Sequence, residues 1–418
     1  MNTLNIIYVS IFNLFLIAPM ACEDAKPDSD NEEQQTLNLS PAEEKKIHQD
    51  NAFSLSLFRE AAERMNPNEN ILLSPISASI ALNMLNNGSK GATKDAMNKA
   101  LKSEGFTEDQ VNAYYKKLIN ILPNLDSATT LKIANSVWYR QGFNILPDFL
   151  NKNENFYHAE IAGLDFGSMD ATAKINSWVN ESTNGKIPGI VDKIPDDMML
   201  YLINAIYFKG SWQEKFDASK TTKMPFARSN ASSLNTDFMN IEKDLNILDN
   251  GEMQGVELPY GNGQYSMLVL LPPAKTSAAE LVKNLVDKDA LGEIYSGFAK
   301  RKTRLYLPKF KFSYQNKLND ELTKLGMGVA FSEQADFTGV AKQDLSVDEV
   351  KQKAFIEVNE EGTEAAAVTS VGVVATSMPM VRTLKFDRPF VFFIRENNCG
   401  LILFTGIVND PSKESNGE

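Results

Sequence analysis

The sequence predicts an α+β fold, and three observations lead to this prediction. The chain has 418 residues, enough for one large domain or two closely packed ones. Helix signals dominate its first half, whereas runs rich in aromatic and β-branched residues dominate its second half. A hydrophobic fraction of 43% and a charged fraction of 23% are typical of a globular protein with a sizeable core.

The N-terminus carries the pattern of an export signal. The apolar run Ile6–Ala18 is too short for a comfortable membrane span but has the length of a signal-peptide core. With Ala21 and Cys22 directly after it, the segment resembles a bacterial lipoprotein signal, although it lacks a basic residue before the run and has Pro19-Met20 after it. We interpret residues 1–21 as a signal peptide and Cys22 as a lipidation site, and we expect membrane contact only through this lipid. The expected location is extracellular or on the outer surface, with the periplasm or a plain secretory signal as alternatives.

The folded part is expected to begin at residue 40. Residues 22–39 are rich in acidic side chains and poor in apolar ones, so we interpret them as a flexible tether that cannot order itself. Ser40-Pro41 and Glu43 then provide a capping Ser, a Pro at the first helical position and a capping-box Glu. We expect a folded domain over residues 40–411 and a polar tail over residues 412–418.

Hydrophobic patterning and terminator residues locate the main elements of this domain. The first helix should run to about Arg64. Continuous apolar runs indicate strands covered on both faces, and two such runs around a polar loop indicate a hairpin. The expected elements are strands over Asn70–Leu73, Met198–Phe208, Gln264–Leu271, Phe390–Ile394 and Leu401–Phe404, and a second helix over Ser77–Leu85.

The stretch Glu360–Thr369 is unusual because it could form either a strand or a loop. Every second residue from Thr363 to Ala375 is uncharged, while the opposite face carries Glu364, and this alternation predicts a half-buried strand. Gly362 and the alanines after it are nevertheless poor strand formers. We interpret the stretch as a conformational switch; an edge strand followed by a plain loop is the alternative.

The residues needed for common enzyme chemistry and for nucleic-acid binding are scarce. The two histidines, His48 and His158, lie in no metal-ligand or catalytic motif, and Cys399 has no histidine near it in the sequence. A net charge of −12 and the lack of a basic stripe argue against a nucleic-acid partner. We therefore expect a protein that is not an enzyme and that has no cofactor, no metal and no nucleic-acid partner. We also expect it to be a monomer.

Several runs of residues match those of a known family, and they occur in the same order along the chain as in that family. They are Asn70–Ser77, Ile175–Asn180, Thr183–Ile187, Asn204–Trp212, Val256–Tyr260, Leu307–Phe310 and Asp387–Arg395. On these runs the chain resembles a serpin, a serine protease inhibitor, over essentially all of residues 41–411. Within the family it is most similar to the ovalbumin-type branch and its bacterial relatives. The resemblance implies helices plus three β-sheets, with an exposed reactive-centre loop at about residues 362–385.

The resemblance also implies how the switch segment works. In serpins a protease cuts the loop, the loop inserts as a new strand into the main sheet, and the protease stays trapped as a covalent acyl-enzyme. A charge on the inward face would have to be buried unpaired, so an uncharged alternation suits rapid insertion. Serpins without inhibitory activity share the fold, so a binding protein is the alternative. The residues that match the inhibitory hinge are Glu360, Gly362, Thr363, Glu364, Ala365, Ala366, Ala367, Val368 and Thr369.

A second set of positions is implied to control the opening of the sheet. Ser74, Ser77 and Asn204 correspond to a hydrogen-bonding cluster beneath the strands that part. Gln352 stands where many serpins carry a His in this cluster. Because Gln donates and accepts hydrogen bonds but does not titrate, the pH dependence that such a His would confer is not expected.

Two further residues are implied to lie where the loop inserts. Trp212 would lie beneath that point, a role that is compatible with plain core packing. Lys309 could pair with Glu360 at the base of the loop.

The position of the reactive bond is less constrained than the hinge. The commonest family spacing from Gly362 gives Thr376-Ser377, whereas spacing from the other end of the loop gives Met378-Pro379, in which the Pro makes a poor substrate. Cleavage at Val374 or Ala375 is a further alternative. The small apolar neighbours suit elastase-like or subtilisin-like serine proteases as partners, and papain-like cysteine proteases are a second class.

Overall fold

The computed structural model of the protein describes residues 36–288, 290–363 and 381–416. Within these ranges the chain forms the expected α+β combination, with most helices before residue 200 and most strands after it. The α-helices are α1 (Pro41–Arg64), α2 (Pro75–Asn86), α3 (Gly91–Ala100), α4 (Glu108–Ile121), α5 (Pro147–Tyr157), α6 (Met169–Ser182), α7 (Ala278–Asp287), α8 (Leu291–Gly297) and α9 (Asn319–Leu322). Short 3₁₀ or π segments lie at Leu122–Asn124, Ala218–Lys220, Thr323–Met327 and Gly328–Phe331.

Helix α1 begins where its capping signal predicts. The Ser40 hydroxyl accepts a hydrogen bond from the Glu43 N–H, and the Glu43 carboxylate accepts one from the Ser40 N–H at 2.7 Å. The ordered body nevertheless starts before residue 40, which corrects the expected limit of the tether over residues 22–39. Leu37 is buried in the core, because an apolar side chain beside the body gains free energy from burial that the acidic residues before it could not.

The strands of the described residues form two hydrogen-bonded sheets. One has seven strands in the order β16-β10-β11-β12-β4-β2-β3, and the other has β1-β15-β14-β8-β7-β6-β9-β13 with β5 also paired to β6. The strands are β1 (Ile71–Leu73), β2 (Thr129–Arg140), β3 (Glu160–Leu164), β4 (Leu200–Ser211), β5 (Thr222–Ala227), β6 (Ser233–Asp249), β7 (Gln254–Tyr260), β8 (Tyr265–Leu271), β9 (Ala299–Pro308), β10 (Phe310–Lys317), β11 (Lys351–Asn359), β12 (Gly362–Thr363), β13 (Arg382–Lys385), β14 (Phe390–Glu396), β15 (Ile402–Val408) and β16 (Ser415–Asn416).

The long strand β6 explains why three expected sheets form only two hydrogen-bonded units. Its first residues pair with β5, its middle pairs with β9 over Phe238–Ile247, and its last residues pair with β7 over Asn246–Asp249. Two of the three expected sheets therefore share β6 and form one continuous hydrogen-bonded sheet of nine strands.

The core lies between the two sheets and the helices that cover them. Strands β8 and β15 are buried along their whole length, and β14 is buried except at Arg395. This agrees with the continuous apolar runs in the sequence, since a strand covered on both faces has no polar alternation. The predicted hairpin is present, with Phe392 of β14 paired to Gly406 of β15.

Part of the predicted polar tail over residues 412–418 adds a short strand to a sheet. Strand β16 pairs in parallel with β10, with Ser313 opposite Ser415, and the Ser313 N–H donates to the Glu414 carbonyl oxygen at 3.1 Å. Because β10 would otherwise expose unpaired backbone groups at a sheet edge, a passing segment can add to it despite its polar composition.

Other boundaries lie within a few residues of the expected ones. Helix α2 begins at Pro75 rather than at Ser77, since Pro is favoured at the first position of a helix. Strand β4 begins at Leu200 and continues to Ser211, beyond the apolar run that predicted it. In the described part of the chain, no helix combines the length and the apolar character that crossing a bilayer requires.

Candidate functional site

Two residues of the predicted hinge, Gly362 and Thr363, lie inside the seven-stranded sheet. We call the junction between β4 and β11 the seam. Strand β12 occupies its upper end, where Gly362 is opposite both Ser211 of β4 and Asn359 of β11, and Thr363 is opposite Gly210 and Val358. Among the described residues, β4 and β11 are joined in the sheet only through these two residues.

This placement corrects the prediction that the exposed loop begins at residue 362 and ends at residue 385. Gly362 and Thr363 are buried, and Arg382–Lys385 forms β13, which pairs in parallel with β9. Residues 364–380 lie outside the described residues. The predicted hinge positions Glu364, Ala365, Ala366, Ala367, Val368 and Thr369 and the predicted reactive-bond positions Val374, Ala375, Thr376, Ser377 and Met378 fall among them, as does Cys22 among residues 1–35.

Gly362 is required by the close approach of β12 to β4. Its φ is +153°, and a Cβ added to it would lie 2.1 Å from the Gly210 carbonyl oxygen and 2.7 Å from the Ser211 Cα. Both contacts are with backbone atoms, which cannot move aside as a flexible side chain could. Only glycine therefore lets the chain enter the seam at this position.

Thr363 points into the core, as its place in the alternation predicts. Its side chain is 2% exposed, and its hydroxyl lies 2.6 Å from the Tyr260 hydroxyl, with which it shares a hydrogen bond. Burial raises the pKa of Tyr260, so this phenol is neutral at physiological pH. The Tyr260 ring stacks on Trp212, with ring centroids 4.6 Å apart and an interplanar angle of 12°.

Trp212 lies beneath the upper end of the seam. Its indole N–H donates to the Asn359 carbonyl oxygen at 2.9 Å, and its backbone N–H donates to the Glu361 carbonyl oxygen at 2.8 Å. One residue of β4's continuation therefore binds the backbone on both sides of the turn that leads into β12. The Glu361 carboxylate also pairs with Lys215 at 2.7 Å.

The Glu360–Lys309 ion pair is present, with Lys309 Nζ 2.9 Å from Glu360 Oε2. The Thr221 hydroxyl also donates to Glu360 at 2.6 Å. Burial opposes ionisation of Glu360, but the hydrogen bonds from Thr221 and Lys309 outweigh it and hold the pKa of Glu360 below its ordinary value of 4.5. Because the pKa is lowered in the folded protein, the charged carboxylate stabilises the hinge at any pH above the ordinary pKa of 4.5. This stabilisation is lost as the pH falls through the lowered pKa.

The lower part of the seam holds the predicted cluster of Ser74 and Gln352. Gln352 Oε1 accepts from the Ser74 N–H at 3.0 Å, and Gln352 Nε2 donates to the Ser74 carbonyl oxygen at 2.7 Å. The Ser74 hydroxyl donates to the Leu403 carbonyl oxygen at 2.8 Å. The amide of Gln352 thus closes two hydrogen bonds on the turn that starts α2, with both partners buried.

Asn204 and Ser77 line the same region, beneath the lower part of the seam. The Asn204 amide nitrogen donates to the Asn135 side-chain oxygen at 2.6 Å, whereas the buried Asn204 Oδ1 has no hydrogen-bond partner among the described residues. Asn204, Ser77 and Gln352 all face one cavity of about 550 Å³. The cluster therefore contains an unused buried acceptor next to free space.

The outer face of the seam is crossed by the segment that follows α6. The Asn176 side-chain oxygen accepts from the backbone N–H groups of Ile190 and Val191, at 2.9 and 3.0 Å. Lys353 of β11 donates to the Gly189 carbonyl oxygen at 3.1 Å. This segment is therefore hydrogen-bonded both to α6 and to β11.

The six predicted sheet-opening residues therefore form two groups rather than one. Ser77, Asn204 and Gln352 line the cavity, with Ser74 hydrogen-bonded to Gln352, whereas Trp212 and Lys309 lie at the hinge. Because Asn204 and Trp212 are eight residues apart on an extended chain, roughly 26 Å separates the groups. The described part of the chain contains no cluster of three or more histidine, cysteine or carboxylate side chains that could hold a metal ion.

Sequence reasoning missed three residues of the hinge. They are Tyr260, Thr221 and Lys215, which contact Thr363, Glu360 and Glu361. Tyr260 ends one of the runs that match the serpin family, but nothing in the sequence links it to a residue 103 positions away.

The serpin resemblance implied a hinge glycine where the chain would enter the main sheet as a new strand. Gly362 lies at such a point, although its burial with Thr363 in the uncut chain was not expected. The family model for serpins (serine protease inhibitors) matches residues 48–411. The chain belongs to the serpin family. Its α+β fold with the serpin architecture is confirmed by solved structures, among them the thermophilic serpin tengpin in its native state, with a TM-score of 0.81, 33% identity and coverage of 90% of this chain and 96% of tengpin.

Of two other relatives, one is named as an elastase inhibitor and the other as a thyroxine-binding protein. The leukocyte elastase inhibitor of Sus scrofa is 36% identical over 375 residues, which cover 86% of this serpin and 97% of the relative. The structure of thyroxine-binding globulin with thyroxine is 27% identical, with a TM-score of 0.78 and coverage of 88% of this serpin and 100% of that chain.

Proposed function

We propose that this serpin inhibits serine proteases as a suicide substrate, by inserting its cleaved loop into the seam and trapping the protease as an acyl-enzyme. In this role it acts as an inhibitor rather than as an enzyme. The observation that carries the proposal is the position of β12. Gly362 and Thr363 already fill the first two places of a strand between β4 and β11, so insertion has only to be extended.

The register of β12 indicates the path that the inserted loop would follow. The pairing is antiparallel on both sides, so each further loop residue would pair one position lower on β4 and one position lower on β11. Six positions beyond Thr363, Thr369 would lie between Asn204 and Gln352. Its hydroxyl could then donate to the Asn204 Oδ1 that has no partner in the described residues.

The same register accounts for the alternation of the loop sequence. Thr363 faces the core, and residues at even spacing from it would face the core as well. These are Ala365, Ala367, Thr369, Val371 and Val373, which are small and uncharged. A charge at any of them would have to be buried without a partner, which would slow insertion relative to hydrolysis of the acyl-enzyme.

We propose elastase-like or subtilisin-like serine proteases as the targets and Thr376-Ser377 as the reactive bond. The residues before this bond, Val373, Val374 and Ala375, are small and apolar, which suits shallow hydrophobic specificity pockets. The name of the leukocyte elastase inhibitor, 36% identical, supports the same class. Cleavage at Val374, Ala375 or Met378 and inhibition of papain-like cysteine proteases are the alternatives.

Mixing this serpin with a pancreatic-type elastase or with subtilisin is expected to give a covalent complex that survives denaturing electrophoresis. The reason is that insertion should distort the protease before its acyl-enzyme is hydrolysed. Mass spectrometry of the released C-terminal peptide would identify the bond cut. Cleaved serpin together with fully active protease, for every protease of both classes, would rule out the inhibitory function.

A binding protein without inhibitory activity is the second candidate, and the likeness to thyroxine-binding globulin favours keeping it. The small, uncharged inward face of the loop argues against it, because a protein that does not insert its loop has no need of that alternation. The thermal stability of the cleaved protein, argued in the Discussion, separates the two candidates.

We also propose that this serpin is bacterial, close to the ovalbumin-type branch, and exported as a monomer that is anchored by lipid at Cys22. The support is the N-terminal sequence, with its apolar run before Ala21-Cys22 and the acidic stretch after it. A surface-tethered inhibitor would meet proteases outside the cell.

The rate at which the seam opens is expected to be the same at about pH 6 and pH 8, because Gln352 does not titrate. Replacing Gln352 with His should make opening faster at the lower pH. Protonated imidazole donates from both nitrogens and cannot accept from the Ser74 N–H, and an unsatisfied buried donor costs ~1–3 kcal/mol, or about tenfold in the opening equilibrium. Hydrogen exchange of the β4 and β11 amides, corrected for the intrinsic effect of pH, measures this.

The matched control is Gln352→Met, which removes both hydrogen bonds to Ser74 but cannot titrate. It should raise the opening rate equally at both pH values. A wild-type exchange rate that already rises toward acid, or a histidine variant with a flat profile, would contradict the assignment of Gln352 to the closed seam.

A further inference from the structure

The cavity below the seam has features of a ligand site that the inhibitory mechanism does not use. We call it the seam cavity. Its volume is about 550 Å³, within the range of ligand pockets in proteins. Strand β4 supplies one wall with Leu200–Asn204, β11 and the chain before it supply another with Asp344–Gln352, and α2 closes the inner end.

The walls of the seam cavity are mixed in polarity, and their apolar side chains are incompletely buried. Leu200, Leu202, Leu345, Val347 and Val350 all pack against the main core, yet each remains partly exposed to solvent. These five side chains line the same cavity, so they form one apolar patch rather than isolated exposed residues. A ligand with an apolar chain would cover them.

The mouth of the seam cavity is acidic. Its charged lining residues are four acids and one base, a net charge of −3, and the exposed acids Asp197, Asp344 and Asp348 have no ion-pair partner in the described part of the chain. Of the four acids, Glu349 is paired, with Lys351 at 3.1 Å and with Lys317 at 3.8 Å. Burial, with Glu349 and Asp348 as further causes, raises the pKa of the lining residue Tyr201 to about 12, in agreement with a negative potential at this place.

We propose that the seam cavity binds a cationic amphiphile, a molecule with an apolar chain and a protonated amine. The apolar chain would cover the half-buried side chains of the walls, and the amine would lie among Asp197, Asp344 and Asp348 at the mouth. Charge argues against the protein's own N-terminal segment as the occupant, because residues 23–33 carry six acids and one Lys.

The site would couple ligand binding to inhibition, a consequence that rests on the proposed function. In the register of β12, Val371 of the inserted loop would pass between Leu202 and Val350, both of which line the cavity. Ligand and inserted strand would therefore compete for the same space. By linkage, a ligand that binds only the uncut serpin slows insertion and shifts the outcome from trapped protease toward cleaved serpin.

Isothermal titration of the uncut serpin with protonated dodecylamine, below its micelle concentration, tests the site directly. We expect saturable binding of one molecule, and no binding of dodecanoate, which has the same chain with the opposite charge. The double variant Asp344→Asn/Asp348→Asn should weaken dodecylamine binding about tenfold, or ~1.4 kcal/mol. The matched control Asp95→Asn/Asp109→Asn neutralises two exposed acids on helices α3 and α4 and should leave the affinity unchanged.

A second measurement separates this inference from the proposed function. Dodecylamine should lower the yield of covalent protease complex of the wild type but not of the Asp344→Asn/Asp348→Asn variant, and serpin already cleaved in the loop should not bind it. No binding to the uncut serpin, equal binding of dodecanoate, or undiminished binding to the double variant would overturn the site, whatever the inhibition assays give. Binding in a serpin that never forms a covalent complex would instead support the site and overturn the proposed function.

Discussion

The variant Thr363→Arg is expected to change this serpin from an inhibitor into a substrate that the protease cuts and releases. Thr363 is 2% exposed and hydrogen-bonded to Tyr260, in a place without room or a partner for a guanidinium group. In the uncut variant β12 would leave the seam, so insertion would then have to bury the unpaired charge. An added ~3 kcal/mol on the insertion barrier would slow insertion roughly 100-fold. Most acyl-enzyme would then hydrolyse first. The ratio of covalent complex to cleaved serpin on a denaturing gel measures the change.

Glu364→Arg is the matched control, because it introduces the same side chain one residue further on, on the face that the alternation directs to solvent. It should retain most of the complex-forming activity, and Thr363→Ser, which keeps the hydroxyl for Tyr260, should retain nearly all of it. Equal yields of covalent complex from the Thr363 and Glu364 arginine variants would mean that the faces are not distinguished and that the inserted strand is not as proposed.

The parts of the fold that could be predicted are those whose signals lie within the sequence of a single helix or strand. The start of α1 is set by Ser40, Pro41 and Glu43 within four residues, and the buried strands β8, β14 and β15 are set by their own apolar runs. Both signals lie in the sequence of the element itself. The sharing of β6 between two layers depends instead on partners far along the chain, and no local pattern shows it.

The same distinction applies to the candidate site. The alternation from Thr363 predicted which face turns inward, since it is a property of one segment. The burial of Gly362 in the seam was not predicted, because it depends on the close approach of the Gly210 and Ser211 backbone. These residues lie 152 and 151 positions away in the chain, and they leave no room for a Cβ on Gly362. Tyr260 was missed for the same reason.

The hinge and the seam cavity are the two ends of one path through the sheet. At the upper end the hydrogen bonds of Trp212 and the ion pair of Glu360 hold the first two residues of the strand in place. At the lower end Ser74 and Gln352 are hydrogen-bonded to each other, but the Asn204 Oδ1 has no hydrogen-bond donor among the residues that the structure describes. In the uncut protein the first residues of the inserted strand are thus fixed at the upper end of the seam, while a buried acceptor at the lower end lacks a donor. This difference favours insertion once cleavage frees the loop.

Cleavage of the loop is expected to raise the melting temperature of this serpin by on the order of 20 °C. A strand inserted along the seam would gain about ten backbone hydrogen bonds to β4 and β11, each worth ~1 kcal/mol net, and each kcal/mol corresponds to ~2 °C in a protein of this size. Differential scanning calorimetry of uncut serpin and of serpin nicked by one protease within residues 364–380 measures the difference. An unchanged melting temperature would favour the binding protein as the function.

The variants Ala367→Asp and Ala366→Asp test whether insertion is the cause of that gain. They place the same charge on neighbouring residues, but the register of β12 turns Ala367 toward the core and Ala366 toward solvent. The inward carboxylate would be buried without a partner at a cost of several kcal/mol, whereas the outward one would stay hydrated. We therefore expect nicked Ala366→Asp to keep the full rise in melting temperature and nicked Ala367→Asp to lose much of it. Equal rises would show that nicking stabilises the protein by some route other than a strand in the seam, and the hinge would then lose its proposed role.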